Sequence, residues 1–457
     1  MKKLLSILLV FSGILLNGAS FQLLQDGVAQ ARIVAPAPVQ DIVAHFNREF
    51  CKSAGTELNA DGRNIIQIRV QASPYIERSK FTFSFPEPNR MIIDATEYSV
   101  RIALNHILEA AGIRYPLPGP SGGYYPQIRN LALPAEPVSR DAGVRLSRNL
   151  YGENPEWLLS LNAFPENSYH FVNHGIAALF PFDEFKQEKW KDTVWPQLDG
   201  ERKTPVQHVW EPCYSSEGTL NAAVERICSW LEKNPGRRTI ALNHNDGYNQ
   251  FCQCEQCSTL DSRPNPAVDK LRQHGFRFRK HNSESFCTWA NKVAERVLEK
   301  FPDTYFGINA YNETLLPPTF RLNDRIMVLF CFESFAQTDA GVRAFWQDLV
   351  RAWRQKTELI GWWEYGYGLT SFTLPRTYFA EVDQAVKFMV SQNCQVFFVE
   401  GFPSVGDGPK RYLYLRYAWN PGLDLQAELQ DWYTSCVGKA AAPFLEEYYN
   451  FWDNFWR

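Results

Sequence analysis

The sequence predicts an α/β protein built on a (β/α)8, TIM-like barrel, with a small α/β domain before it and a helical segment after it. Three observations carry that expectation. The chain has 457 residues, more than one simple core organises, so two domains and an appendage are expected. From about residue 141 strand-like apolar runs alternate with helical runs, the pattern of βα units around a parallel sheet. Those runs end in polar and often acidic residues, where a parallel barrel gathers its chemistry. A hydrophobic content of 45% against 21% charged residues places the chain among folded proteins.

The first stretch reads as an export signal spanning residues 1–31. Met1-Lys2-Lys3 is a positive n-region, and the apolar run from Leu4 to Leu16 is too short to span a bilayer. Cleavage is expected after Ala19 or Ser20, or after Ala31, where Ala29-Gln30-Ala31 is a small-x-small site. No later apolar run is long enough to span. An exported protein, periplasmic or secreted, with no integral membrane segment after signal removal follows. Net charge is −3 and no lysine or arginine run stands out, so nucleic acid is not an expected partner.

Residues 33–140 read as the small α/β domain. Val39, Ile42, Val43, Phe46 and Phe50 fall at helical spacing, with Gly55 as the stop. Residues 65–70 are strand-like, and 81–85 with 90–94 form a hairpin around Pro86-Glu-Pro-Asn89. Val100, Ala103, Leu104, Ile107, Leu108 and Ala111 mark a second helix, which Gly112 ends. A Pro/Gly-rich connector leads on. Residues 141–405 are the expected barrel, with strands at 144–149, 169–173, 206–212, 239–246, 304–311, 325–333, 359–365 and 395–400, and helices at 217–233, 284–300, 340–356 and 376–390. Residues 406–457 turn helical and aromatic and pack on the barrel.

The strand ends carry the candidate chemistry. In order they are Arg148-Asn149, His170 with His174, Trp210-Glu211, Asn243-His244-Asn245-Asp246, Asn309-Ala-Tyr311-Asn312-Glu313, Glu333-Ser334, Trp362-Trp363-Glu364-Tyr365 and Glu400-Gly401. Glycosidic cleavage needs one protonated carboxyl for the leaving group, and a second carboxylate as nucleophile or as base for water. Crowded acids raise one another's pKa, which supplies the proton donor. Asp246 is the expected acid and Glu364 the base or nucleophile, with Glu333 and Glu400 competing for the second role. A lone glutamate at any of these ends serves equally well as a salt-bridge partner; their convergence is what points to catalysis. Arg148, His244, Asn245, Tyr311, Asn312 and Glu400 are expected to bind substrate. Trp363 and Tyr365 offer faces for sugar rings, and strand alternation turns them away from the side of Trp362 and Glu364. With 14 Trp, 20 Tyr and 32 Phe the chain has faces enough for a sugar cleft and for an aromatic core alike.

Cys252-x-Cys254-x-x-Cys257 follows Asp246 closely. Three thiolates in six residues suit a structural zinc with a fourth ligand from His244, Cys213 or Cys287. Export favours a disulfide instead, and the spacing leaves both open. Either way the cluster has a structural task, and no other cofactor is required. His170-x3-His174 has a metal-ligand spacing for a helix but lies in a strand or loop.

Ala103-Leu-Asn-His-Ile-Leu-Glu-Ala-Ala-Gly-Ile-Arg-Tyr115 and the Pro/Gly stretch to Pro126 resemble the end of the small N-terminal domain of family 67 α-glucuronidases and family 20 β-hexosaminidases. Asn245-Asp246-Gly247 with the cysteine cluster, and Trp362-Trp363-Glu364-Tyr365, resemble a group of exported bacterial barrel proteins of unknown function related to those glycosidases. The resemblance covers roughly residues 33–405. It implies a carbohydrate substrate, uronate-bearing ones included, and an acid at the end of strand four, which falls on Asp246. It is compatible with further acids at Glu333 and Glu364. A hexosaminidase would carry an adjacent Asp-Glu pair, and Asn245-Asp246 departs from it. The leading expectation is an exported glycoside hydrolase. Its rivals are a glycan-binding barrel without catalysis, a metal-dependent hydrolase using the Cys/His cluster, and a barrel whose acidic strand ends are only structural.

Overall fold

The computed structural model describes residues 19–58, 61–73, 78–150, 152–163, 174–207, 210–247, 250–275, 281–367, 374–401 and 405–457. The chain divides into two compact units, residues 1–114 with 124–141, and residues 115–123 with 142–457.

In the first unit the chain order is β1 (Ser20–Gln25), β2 (Val28–Ala29), β3 (Ala31–Val34), α1 (Gln40–Ala54), β4 (Asn64–Val70), β5 (Phe81–Glu87), β6 (Arg90–Ala95), α2 (Ser99–Ala110), β7 (Leu131–Pro134) and β8 (Val138–Arg140). The helical spacing of Val43, Phe46 and Phe50 buries one face of α1. Gly55 ends that helix at φ 71°, a left-handed conformation that glycine adopts without strain. β5 and β6 pair antiparallel as the hairpin pattern requires, inside a mixed sheet ordered β3-β4-β6-β5-β8. A second sheet is ordered β2-β1-β7. Phe21, Leu23 and Leu24 of β1 are fully buried. The folded unit therefore starts ahead of residue 33, and cleavage after Ala31 would remove a buried strand, whereas cleavage after Ala19 leaves it whole.

The second unit contains β9 (Ser147–Leu150), α3 (Pro155–Ser160), α4 (Gly175–Leu179), α5 (Phe182–Phe185), the short hairpin β10 (Gln197–Leu198) and β11 (Glu201–Arg202), α6 (Glu217–Lys233), β12 (Thr239–Ala241), α7 (Glu255–Asp261), α8 (Pro266–Arg272), α9 (Ser283–Leu298), β13 (Tyr305–Ala310), β14 (Ile326–Cys331), α10 (Ala340–Arg354), β15 (Leu359–Tyr365), α11 (Phe379–Ser391), β16 (Cys394–Glu400), α12 (Pro409–Trp419), α13 (Leu425–Val437) and α14 (Ala442–Trp456). Six strands form one parallel sheet, β12-β13-β14-β15-β16-β9. β9, the earliest of these strands in the chain, pairs with β16, the latest, and the sheet curls as a half-barrel.

The expected eight-stranded count is thus met in six places. The expected strand at 169–173 lies outside the described residues. The described residues of 206–212 form no strand. Pro205 and Pro212 flank that run, and its end is drawn instead into side-chain bonds with the loop after β12. Beside β12 lies the start of α4. A side chain at Gly175 would meet the Ala241 carbonyl oxygen at 2.0 Å, so only glycine lets the backbone approach. The Ile176 N–H then donates to the Asn243 carbonyl at 3.1 Å. Among the described residues no helix is long and apolar enough to cross a membrane.

Register fixes the two faces of the sheet. Phe330, Trp362, Phe397 and Arg148 share one row, and Cys331, Trp363, Phe398 and Asn149 the next. The first row meets the helices: Phe330 lies 6.5 Å from Trp353 of α10, and Trp362 lies 6.4 Å from Tyr414 of α12. The second row therefore lines the inside of the curl.

Candidate active site at the strand ends

Past Ala241 the chain leaves the sheet, and residues 242–247 are held by their surroundings. Glu211 is fully buried and accepts the Asn245 N–H at 2.6 Å and the Tyr214 hydroxyl. The Asn245 side-chain amide donates to the Trp210 carbonyl at 2.6 Å. Burial raises the Glu211 pKa to about 8; its hydrogen bonds oppose the rise and nearby Glu313 adds to it. His244 is equally buried. Its ring stacks on Tyr311 at 5.8 Å, and its two nitrogens face the carbonyls of Asn245 and Tyr311 at 2.9 and 3.2 Å. Burial lowers its pKa to about 4, so at neutral pH it is an uncharged brace. His174 reaches the His244 carbonyl at 2.6 Å. Asp246, next along, is exposed, and its carboxylate accepts the Tyr311 hydroxyl at 2.9 Å. Asn312 turns the chain after Tyr311 at φ 46°, a conformation that asparagine tolerates.

On the inner face Trp363, Tyr365 and Glu400 are half-buried while their strand neighbours are buried. The Trp363 indole N–H donates to Glu400 at 2.9 Å. Tyr365 and Glu400 are register partners. Burial above all holds the Cys331 thiol protonated, and the fields of Glu400 and Asp246 both add to this. The Trp363 ring lies 6.5 Å from that of His174. Glu333 stands at the rim: the field of its carboxylate reaches Tyr367, together with that of Glu400, and also Glu364. It pairs with Arg376 at 2.5 Å, and burial raises its pKa against the pull of Arg376 and Lys410.

Glu364 lies on the opposite, helix-packed face. It is 0% exposed and accepts both the backbone N–H of Ser334, at 3.0 Å, and its hydroxyl. Burial raises its pKa to about 8; Glu333 adds to this, and Ser334 and Lys410 oppose it. Around it lie Tyr414, whose hydroxyl donates to Ser334 at 3.4 Å, and Lys410, fully buried and bound to Asp407 at 3.2 Å and to the Arg376 carbonyl at 2.8 Å. Arg148 also faces the helices. Its guanidinium donates to the carbonyls of Asn162 and Val144 beneath the ring of Trp419, away from the inner face.

The structure thus brings Asp246, Tyr311, Trp363, Tyr365 and Glu400 together, sets Glu333 at their rim, and makes His244 and Asn245 the support of Asp246. It separates Glu364 and Arg148 from them. His170 lies outside the described residues. The sequence reading placed Glu211 at a strand end without a role and passed over Lys410, Arg376, Tyr378 and Tyr414. One signal was available: Lys410 and Arg411 open the Tyr/Leu-rich run of α12, and a lysine buried in such a helix requires a partner.

A third cluster lies beside this site. Cys252, Cys254 and Cys257 converge with Cys213, all four sulfurs within 4.8 Å of one another. His244 faces its two carbonyls instead, and Cys287 packs separately in the main core.

Residues 117–450 match the family model described as "Domain of unknown function (DUF4838)". The chain belongs to that family. Comparison with curated proteins finds no match. Among solved structures, the chain is similar to BtGH115A, a family GH115 4-O-methyl-α-glucuronidase with specificity for decorated arabinogalactans. The TM-score is 0.54 at 12% identity, over 93% of this chain and 61% of the glucuronidase. A Flavobacterium johnsoniae chitobiase gives 0.49 at 11% identity, over 92% of this chain and 70% of that one. A Streptomyces plicatus N-acetyl-β-hexosaminidase gives 0.44 at 11%, over 94% and 92%. The expected membership in a family of unknown function is found, and the fold likeness above is to a family GH115 glucuronidase where family 67 was expected. The likeness to the glucuronidase is one of fold, and the chain spans about 61% of the glucuronidase's length.

Proposed function

We propose that this protein is an exported glycoside hydrolase whose chemistry runs on the inner face of the half-barrel. Asp246 protonates the glycosidic oxygen, and Glu400 activates water or attacks the anomeric carbon. Glu333 shapes the field at the rim. Glu400 takes the role first considered for Glu364, because Glu364 has no exposure through which to meet a sugar. One observation carries the reading: two carboxylates, Asp246 and Glu400, share an open face with Tyr311, Trp363 and Tyr365. Such a face offers a proton donor, a second carboxylate and rings for stacking, which is the requirement of glycosidic cleavage. The glucuronidase likeness supports including uronate-bearing glycans among the substrates.

The test is release of reducing sugar from a panel of neutral and uronate-bearing glycans by wild type, Asp246→Asn and Glu400→Gln, each checked for folding. Release by wild type, and a loss of about 10²–10⁴-fold in each folded variant, is expected for acid–base groups. Equal release by all three would remove both residues from the chemistry. Binding without release, for every glycan, would leave a glycan-binding barrel.

A further inference from the structure

The sulfurs near Asp246 are placed for a metal. We propose that Cys213, Cys252, Cys254 and Cys257 bind one zinc ion as a closed, structural tetrathiolate site. All four sulfurs lie within 4.8 Å of one another, and those of Cys213 and Cys254 are 3.7 Å apart. Zinc–thiolate bonds of about 2.3 Å in a tetrahedron set neighbouring sulfurs about 3.8 Å apart. A disulfide would need about 2.05 Å and would join the sulfurs in pairs rather than about one point.

The surroundings suit thiolates. Cys252 Sγ accepts the backbone N–H groups of Gln197 at 3.2 Å and Cys254 at 3.5 Å. The Ser215 hydroxyl lies 3.1 Å from Cys257, 3.4 Å from Cys254 and 3.5 Å from Cys213. The Arg202 guanidinium, on β11, hydrogen-bonds to Cys213 and offsets the negative charge that four thiolates leave on a divalent ion. Cys213, Cys252 and Cys257 are buried, and the four form a cluster of their own apart from the main core.

The consequence is mechanical. Four protein ligands fill a tetrahedron and leave no place for a reactive water, so the metal holds and does not hydrolyse. Its ligands join two segments, Cys213 just after Glu211 and Cys252, Cys254 and Cys257 in the loop after Asp246; the hairpin β10–β11 bonds to this loop through the Gln197 N–H. The Asn245 N–H donates to Glu211 at 2.6 Å between those two anchors. Zinc thereby fixes both sides of the clamp on Asp246. This inference does not depend on the glycosidase reading.

The test uses full-length protein purified without a metal-affinity tag. Elemental analysis is expected to give one zinc per chain, and thiol titration in denaturant with chelator to recover all ten cysteines. Cobalt exchanged for zinc is expected to show the absorption of a tetrahedral tetrathiolate centre. Folded Cys254→Ser is expected to lose the zinc and Cys51→Ser to keep it; if Cys254→Ser fails to fold, the wild-type stoichiometry and cobalt spectrum decide. Absence of metal with one or both thiol pairs oxidised overturns the site. So does free thiol that takes up no zinc, zinc retained in full by folded Cys254→Ser, or iron in its place.

Discussion

The two faces of the sheet at β15 and β16 carry acids of opposite character. On the inner face Glu400, reached across the sheet from Tyr365, is half-buried and accepts one indole N–H. On the outer face Glu364 is sealed by Ser334, Tyr378 and Tyr414 and keeps its proton to about pH 8. A perturbed pKa alone would have chosen Glu364 as the catalytic acid. The contrast shows that access ranks before pKa. Glu211 teaches the same lesson, since its pKa is also raised to about 8 and it serves to hold the Asn245 backbone.

The largest test of this contrast is catalytic. Asp246→Asn and Glu400→Gln should each cost about 10²–10⁴-fold in kcat/KM, whereas Glu364→Gln should stay within about tenfold. A collapse of activity in a well-folded Glu364→Gln protein would erase the distinction between the faces. Next comes the buried cation. Lys410→Met strips Asp407 and the Arg376 carbonyl of their partner, and should lower unfolding free energy in urea by about 3–5 kcal/mol. A change near zero would mean that the outer network is not tightly held.

Third is pH. Glu211 and Glu364 keep their protons in the folded protein to about pH 8, against an ordinary 4.5 when unfolded. Between those limits the native state holds more protons than the unfolded chain. Stability from this source is complete below the unfolded value and is lost as pH rises toward 8. His244 and His281, lowered to about 4, act in the other sense below their ordinary 6.5. The melting temperature should therefore fall from pH 6.5 to 8, and Glu364→Gln or Glu211→Gln should each flatten the fall, a contribution of a few kcal/mol. An unchanged slope in both variants would show these carboxyls ionised at neutral pH. Smallest is Trp363→Phe, which keeps a ring and removes the N–H to Glu400. A fall of less than about tenfold in kcat/KM is expected, the worth of one hydrogen bond.

Periodicity made much of the fold legible. α6 and β15 match the expected ranges 217–233 and 359–365. The alternation from Trp362 to Tyr365 separated the two faces. It could not say which face met helices, because tryptophan occupies both. The strand read over 239–246 ends at Ala241, since its polar tip bonds to the side chains of Glu211 and His174. The outer network was not legible for a similar reason: Glu364, Lys410 and Tyr414 come from β15 and α12 and acquire meaning only when those elements pack.

The pairing of Ser147 with Val396 bears on how the chain reaches this state. β9 is made early and β16 late, so their ladder must wait for almost the whole sheet between them. Closing so long a loop is slow, and an early strand left unpaired is open to wrong partners. Arg148, at the centre of β9, sets a charge on the waiting strand. In the folded sheet that charge is taken up by the carbonyls of Val144 and Asn162. A charge on an unpaired strand works against pairing with a wrong partner.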